Sequence, residues 1–205
     1  MNRIKLCGLR RREDIFFANA IQPDFVGFVF APSKRRVTAE TAYELRTLLK
    51  SEIPAVGVFV NAPEKEILEL AEAGIIQMIQ LHGQEDMEYI KRMKQQCSLP
   101  VIKAVSVKAR EDIVSFQDSE ADYLLFDQGN GGSGRAFDWS LLTEDLKKPF
   151  FLAGGISAEN VREALKKYHP FAVDASSSVE SEGVKDFEKM KRLTELVHGI
   201  GGCSE

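Results

Sequence analysis

Asp127 ends a short apolar run, Tyr123-Leu124-Leu125-Phe126, and opens the stretch DQGNGGSGRAFDW that closes at Trp139. The run is long enough for one buried strand and too short for a helix, so the acid sits where a strand ends. Four glycines follow within six residues, Gly129, Gly131, Gly132 and Gly134. They let the backbone take φ > 0 and approach a ligand with no Cβ in the way. A strand-end carboxylate beside a bare backbone cradle suits acid chemistry next to a bound anion; the same residues also make an ordinary surface loop with a solvated acid. A second candidate is Cys7, in Ile4-Lys5-Leu6-Cys7-Gly8. Strand parity puts Lys5 and Cys7 on one face and Ile4 and Leu6 on the other. A free thiol near pKa ~8.5 is a poor base at neutral pH, but a neighbouring cation favours the thiolate. The other reading of a strand cysteine is a small inert hydrophobe, and Cys97 fits that description.

Further candidates stand where other apolar runs end. Ser33-Lys34-Arg35-Arg36 supplies cations, and a guanidinium holds a carboxylate bidentately, although a basic loop is also ordinary solvated surface. His82, ahead of Gly83, either supports a ligand or hydrogen-bonds within the fold. Gly154-Gly155 and Asp174-Ala175-Ser176-Ser177-Ser178 together make a phosphate cradle, with backbone N–H groups facing the anion, or else a turn and a cap.

Eight strand-like runs position these residues, and each is followed by a helical pattern. The runs are Ile4 to Gly8, Phe25 to Phe30, Pro54 to Val60, Met78 to Gly83, Val101 to Val107, Tyr123 to Asp127, Phe150 to Gly155 and Phe171 to Ser176. Helices are expected over 11–21, 39–50, 64–73, 85–96 and 111–119, briefly from Ser140, over 158–168 with Ser157 as its cap, and over 186–199. Alternating units of this kind make a parallel sheet covered by helices, and eight is the number that closes. The expected fold is α/β, a single (β/α)₈ TIM barrel of parallel strands over residues 1–200, with 201–205 a disordered tail in which Cys203 is incidental. An open doubly wound sheet is the alternative, but no GxGxxG follows the first strand. In the barrel, all the candidates above lie at the C-terminal ends of strands, where such folds do their chemistry.

Composition narrows the partners. The chain has 205 residues, 44% hydrophobic and 28% charged, ordinary for a soluble globular protein. No apolar run approaches the ~20 residues of a membrane span, and MNRIKLCG lacks a signal peptide's apolar stretch, so a cytoplasmic location and no membrane partner are expected. A net charge of −4 with mixed signs along the chain gives no stripe for nucleic acid. The three cysteines, Cys7, Cys97 and Cys203, are widely spaced, with no CxxC, so neither disulfides nor a metal site is expected. The partner is a small phosphorylated molecule.

The motifs also resemble those of the phosphoribosylanthranilate isomerase family. The residues that carry the resemblance are Ile4-Lys5-Leu6-Cys7-Gly8-Leu9, Phe28-Val29-Phe30 leading to Ser33-Lys34-Arg35, Val56-Gly57-Val58-Phe59-Val60, Gln80-Leu81-His82-Gly83, Gly131-Gly132-Ser133-Gly134 with Phe137-Asp138-Trp139, and Val173-Asp174-Ala175-Ser176-Ser177. They run in order through nearly the whole chain. The resemblance implies a (β/α)₈ barrel of tryptophan biosynthesis that catalyses the Amadori rearrangement of N-(5-phosphoribosyl)anthranilate to 1-(2-carboxyphenylamino)-1-deoxyribulose 5-phosphate, without metal or organic cofactor. It implies Asp127 as general acid, with a raised pKa, and Cys7 as general base, with a lowered one. Arg35, in a Ser-x-Arg pattern, matches the arginine that holds the anthranilate carboxylate; Arg36 follows where the family often has an aromatic. Gly132, Ser133, Gly134, Gly154, Gly155, Ser176 and Ser177 would bind the phosphate, with His82 and Asp174 also against the substrate, in a monomer or homodimer. The alternatives are another sugar-phosphate isomerase, epimerase or lyase, and a non-catalytic phosphate-binding barrel.

Overall fold

Residues 2–127, 139–142 and 146–199 are described by the computed structural model. The eight apolar runs form strands β1 (Ile4–Cys7), β2 (Phe25–Val29), β3 (Ala55–Phe59), β4 (Met78–Leu81), β5 (Val101–Ser106), β6 (Tyr123–Asp127), β7 (Phe150–Leu152) and β8 (Ala172–Ala175). Each pairs in parallel with the next, and β8 pairs with β1 to close the barrel. The helices are α1 (Arg12–Ile21), α2 (Ala39–Leu48), α3 (Glu64–Glu72), α4 (Met87–Gln96), α5 (Arg110–Val114), α6 (Val161–Tyr168) and α7 (Phe187–Gly199).

Alternation along the strands divides the apolar residues into two cores. Outward positions such as Ile4, Leu6, Val26, Phe28, Ile79 and Phe126 pack under the helices in one large cluster. Inward positions Val56, Met78, Ile102, Leu125, Phe151 and Ala172 fill the barrel. Phe25, Tyr123 and Phe171 pack against that inner cluster at the N-terminal end, with Arg3 stacked 4.4 Å over the Phe171 ring. The opposite ends of the same inward rows carry polar side chains. Continuing the parity, Lys5 and Cys7 on β1, Gln80 on β4, Asp127 on β6 and Asp174 on β8 share the inner face with the apolar layer beneath them.

Three elements depart from expectation. Helix α5 stops at Val114 instead of 119 because side chains bind backbone that a helix would use: Ser115 Oγ donates to Asp112 O at 2.6 Å and Ser119 Oγ to Phe116 O at 2.7 Å. Helix α6 starts at Val161, and Ser157 is not its cap. Instead Asn160 Oδ1 accepts from Ser157 N at 2.9 Å while its Nδ2 donates to Gly155 O at 2.8 Å, so the segment is a turn tied to the loop after β7. A hairpin not expected at all, β9 (Glu180–Ser181) with β10 (Val184–Lys185), lies between β8 and α7. Its tip residues Glu182 and Gly183 have φ of 52° and 79°, the two positive values that a tight type I′ turn needs. Near Ser140 the chain makes a 3₁₀ turn, Trp139–Leu141. The expected tail, 201–205, lies outside the described residues.

Candidate active site

Cys7 ends β1 with its side chain toward the barrel interior, and the neighbouring strand makes room for it. A Cβ on Gly27 of β2 would stand 2.7 Å from Cys7 Sγ, so a side chain there would displace the thiol. Below it, fully buried Lys5 donates to Asp174 Oδ1 at 3.0 Å and interacts electrostatically with the Cys7 thiol. Burial opposes the Lys5 ammonium, but Asp174 and Cys7 outweigh it, and its pKa rises above 10.5. For the thiol the outcome reverses the expected lowering. Burial pushes Cys7 above its ordinary 9.0, and the pull of Lys5 and Lys185 is not enough to offset burial plus the Asp174 carboxylate. The sequence shows the lysine beneath the cysteine; it does not show that the lysine's charge is shared with an aspartate from the far end of the chain.

Arg35 and Arg36 part company in the loop after β2. Arg35 N donates to Ser33 Oγ at 2.9 Å, which accounts for the Ser-x-Arg spacing by a local turn. Arg36 is exposed and bridges to Val29, whereas the Arg35 side chain turns inward and is buried. Its guanidinium forks onto Glu180 of β9, Nε to Oε1 at 2.6 Å and Nη2 to Oε2 at 2.8 Å. Lys185 of β10 donates to the same Oε1 at 2.9 Å and to Ser176 O at 2.8 Å. Gly8, with φ 83°, is required here, because a Cβ would collide with Arg35 Cδ. Arg35, expected to hold the anthranilate carboxylate, gives two of its five N–H donors to a protein carboxylate 145 residues away in sequence.

His82 follows β4 and faces Asp127 at the end of β6, its Nε2 3.6 Å from Asp127 Oδ2. That is longer than a hydrogen bond. Gln80, one layer down, offers Nε2 to His82 Nδ1 at 2.8 Å; with the amide assigned as donor, the ring proton stands on Nε2, toward the aspartate. The loop that carries His82 is clamped by buried Glu85, which accepts from Asn61 N at 2.7 Å, Gly83 N at 2.9 Å and Lys103 Nζ at 2.8 Å. Gly154 and Gly155 after β7 have φ of 72° and 82°, so their peptide groups are turned in a way that non-glycine residues rarely adopt. Ser176 donates its hydroxyl to Cys7 O at 3.0 Å, tying the β8 loop to β1, and Ser177 opens a 3₁₀ turn, Ser177–Val179. Gly132, Ser133 and Gly134 lie outside the described residues.

Cys7, Arg35, His82, Asp127, Gly154, Gly155, Asp174, Ser176 and Ser177 thus all sit at one end of one barrel, on or just after the C-terminal ends of six strands. A family model described as N-(5'-phosphoribosyl)anthranilate (PRA) isomerase matches residues 4–196. The chain belongs to the PRA isomerase family. It is an isomerase of tryptophan biosynthesis, converting an aldose to a ketose within one molecule. The PRA isomerase of Endomicrobium trichonymphae is 46% identical over 204 residues, covering 98% of this chain and 100% of its own. That of Caldanaerobacter subterraneus is 45% identical over 205 residues, with coverage of 98% and 100%. Among solved structures, PRA isomerase of Thermotoga maritima superposes with TM-score 0.88 at 35% identity, covering 97% of this chain and 100% of the other. A PRA isomerase in complex with reduced 1-(o-carboxyphenylamino)-1-deoxyribulose 5-phosphate gives TM-score 0.85 at 35% identity, with the same coverage.

Within the PRA isomerase frame, four residues at the site went unread in the sequence. Gly27 had a signal, a glycine inside a strand, which marks close approach by something else. Gln80 had parity with His82. Glu180 and Lys185 stand next to a Glu182-Gly183 turn that announces the hairpin, but their partnership with Arg35 has no local signature.

Proposed function

We propose that the chain isomerises PRA by general acid–base catalysis, with Asp127 as the acid and Cys7 as the base. Asp127 donates its proton to the furanose ring oxygen as the C1–O bond breaks, and the anthranilate nitrogen lone pair forms the C1=N iminium. Cys7 thiolate then removes the C2 proton; the C–H electron pair becomes the C1=C2 bond of an enolamine, which tautomerises to the 2-ketone with a new C1–H bond. Each positioned proton transfer is worth roughly 10²–10⁴ in rate. The observation that carries this reading is that Cys7 on β1 and Asp127 on β6 share the barrel's inward face at its C-terminal mouth, in a member of this family. The raised thiol pKa makes Cys7 a strong base present in small amount at neutral pH.

The substrate's two anionic ends have two receivers. Arg35 takes the anthranilate carboxylate with the guanidinium N–H groups that Glu180 leaves. The phosphate lies against Gly154, Gly155, Ser176 and Ser177, joined by Gly132, Ser133 and Gly134. Asp174 and His82 line the sugar between them. A solved family member at 35% identity holds a reduced form of the phosphorylated product, which supports a substrate of this class. No helix among the described residues is long and apolar enough to cross a membrane, and we propose a cytoplasmic barrel over residues 1–200, acting as monomer or homodimer; the Thermotoga maritima relative is described as dimeric. The test is a continuous assay of PRA generated in situ, following loss of its fluorescence with wild type and Asp127→Asn side by side. Turnover by wild type alone, with phosphate-ligand affinity kept in the variant, supports the acid assignment; equal loss of turnover and affinity would make Asp127 structural.

A further inference from the structure

Arg35 presents a puzzle if it serves only the substrate. A guanidinium has five N–H donors in a fixed fork. Glu180 takes two of them, along the Nε/Nη2 edge, at 2.6 and 2.8 Å. No described side chain takes the rest, so Nη1 and the second N–H of Nη2 form a further pair of parallel donors, the geometry that receives a carboxylate bidentately. Glu180 neutralises Arg35, and a neutral pair would attract a carboxylate weakly. Buried Lys185 corrects this, with Nζ 2.9 Å from Glu180 Oε1. The three side chains together carry one net positive charge, a match for one carboxylate. The stem of Arg35 is fixed as well, since its Cδ occupies the space a Cβ on Gly8 would need, beside Cys7. Ser176, whose carbonyl accepts from Lys185 and whose hydroxyl donates to Cys7 O, ties the hairpin to the same strand end.

We infer that Glu180 and Lys185, on the hairpin after β8, are positioning residues, Glu180 holding Arg35 at a fixed angle and Lys185 restoring the positive charge that Glu180 cancels, and that together they set the enzyme's selectivity for the carboxylate-bearing end of its substrate. This rests on the proposal that Arg35 receives that carboxylate. Glu180 acts by removing the freedom of a long side chain before the ligand arrives, which lowers the ordering cost of binding. Lys185 acts on the ligand through its charge, from its place against Glu180 and the Ser176 carbonyl.

The experiment compares two ligands, the reduced aminodeoxyribulose phosphate product with its ring carboxylate and the anilino analogue without it, by titration calorimetry alongside kcat and KM. Glu180→Gln is expected to weaken the carboxylated ligand roughly ten- to hundredfold, the loss of charge-assisted hydrogen-bond geometry, and to leave the anilino analogue within about threefold. The loss falls on KM and not on kcat. Lys185→Met, which keeps the Arg35–Glu180 fork, shows the same ligand selectivity to a lesser degree; its kcat falls as well, because the Lys185 charge also pulls on Cys7, so its binding titrations carry the test if Glu180→Gln does not fold. Tighter binding of the carboxylated ligand by Glu180→Gln would mean that Glu180 competes with substrate, and equal weakening of both ligands would mean that the hairpin is merely structural; either overturns the inference. Arg35→Ala separates the two levels. If it weakens both ligands equally, the assignment of Arg35 to the carboxylate fails; if it is selective while Glu180→Gln and Lys185→Met are not, only the positioning role fails.

Discussion

Lys5→Met tests how a buried thiol is made into a base. The ammonium is fully buried, 3.0 Å from Asp174, and interacts electrostatically with the Cys7 thiol. Its loss removes a downward pull on the thiol and leaves burial and the upward push of Asp174 opposed by Lys185. An opposite charge at contact distance is worth roughly one to three pKa units, so the thiolate fraction at neutral pH should fall about ten- to a thousandfold, and kcat with it. The sign follows from the direction of the shift. The thiol pKa is already raised above 9.0 and the proposed base is its anion, so wild-type kcat should rise with pH up to that raised value. In Lys5→Met the same limb moves to still higher pH, so the deficit is largest near neutrality and shrinks as the solution becomes alkaline. Two readouts are needed: kcat against pH, and the rate of Cys7 alkylation by iodoacetamide against pH, with Cys97 and Cys203 both changed to Ser. Breaking a buried ion pair costs roughly 3–5 kcal/mol, so Lys5→Met/Asp174→Asn serves as the variant in which no carboxylate is stranded. An alkylation limb that does not move in either variant refutes the argument, whatever happens to stability.

The remaining tests are shorter. Cys7→Ser replaces the thiol by a far weaker acid of similar size, so kcat should fall at least about a hundredfold with KM little changed, and near-normal turnover would rule out Cys7 as the base. Gly27→Ala puts a methyl 2.7 Å from Cys7 Sγ. Overpacking of this kind costs about 1–3 kcal/mol, and kcat should drop more than melting temperature predicts; a variant with wild-type kcat would show that the thiol has room to spare. Glu180 gives an acid limb. Burial pushes its carboxyl up, but the hydrogen bonds from Arg35 and Lys185 bring it from 4.5 down to about 2. Stability from this carboxylate is therefore full above the ordinary carboxylate range and is lost as pH falls towards 2, a segment of the denaturation profile that Glu180→Gln should lack.

Much of the barrel is legible because its signals are local. Each strand is a short apolar run, and period two alone divides Ile4 and Leu6 from Lys5 and Cys7, a division that recurs as the two separate cores. Boundaries fail where side chains compete with the backbone, as Ser115 and Ser119 do at α5 and Asn160 does before α6. Serine, asparagine and aspartate serve a cap or a turn equally well, so the segment 157–160 reads as the first turn of a helix until the Gly155 carbonyl is known to be within reach of Asn160.

The site divides along a different line. Residue type and strand-end position suffice to collect Cys7, His82 and Asp127, because a barrel brings all strand ends together whatever the loops do. Charge state does not follow from position. Lys5 beneath Cys7 implies a lowered thiol pKa only if the lysine's charge is undivided; Asp174, brought alongside by the β1–β8 pairing that closes the barrel, takes a share of it and raises the thiol directly. Arg35 repeats the lesson with Glu180. In both cases the partner is supplied by the last strand or the hairpin after it, so the electrostatics of this site are set by ring closure. It follows that a change which loosens β8 without touching any substrate contact should shift the Cys7 limb and the carboxylate selectivity together.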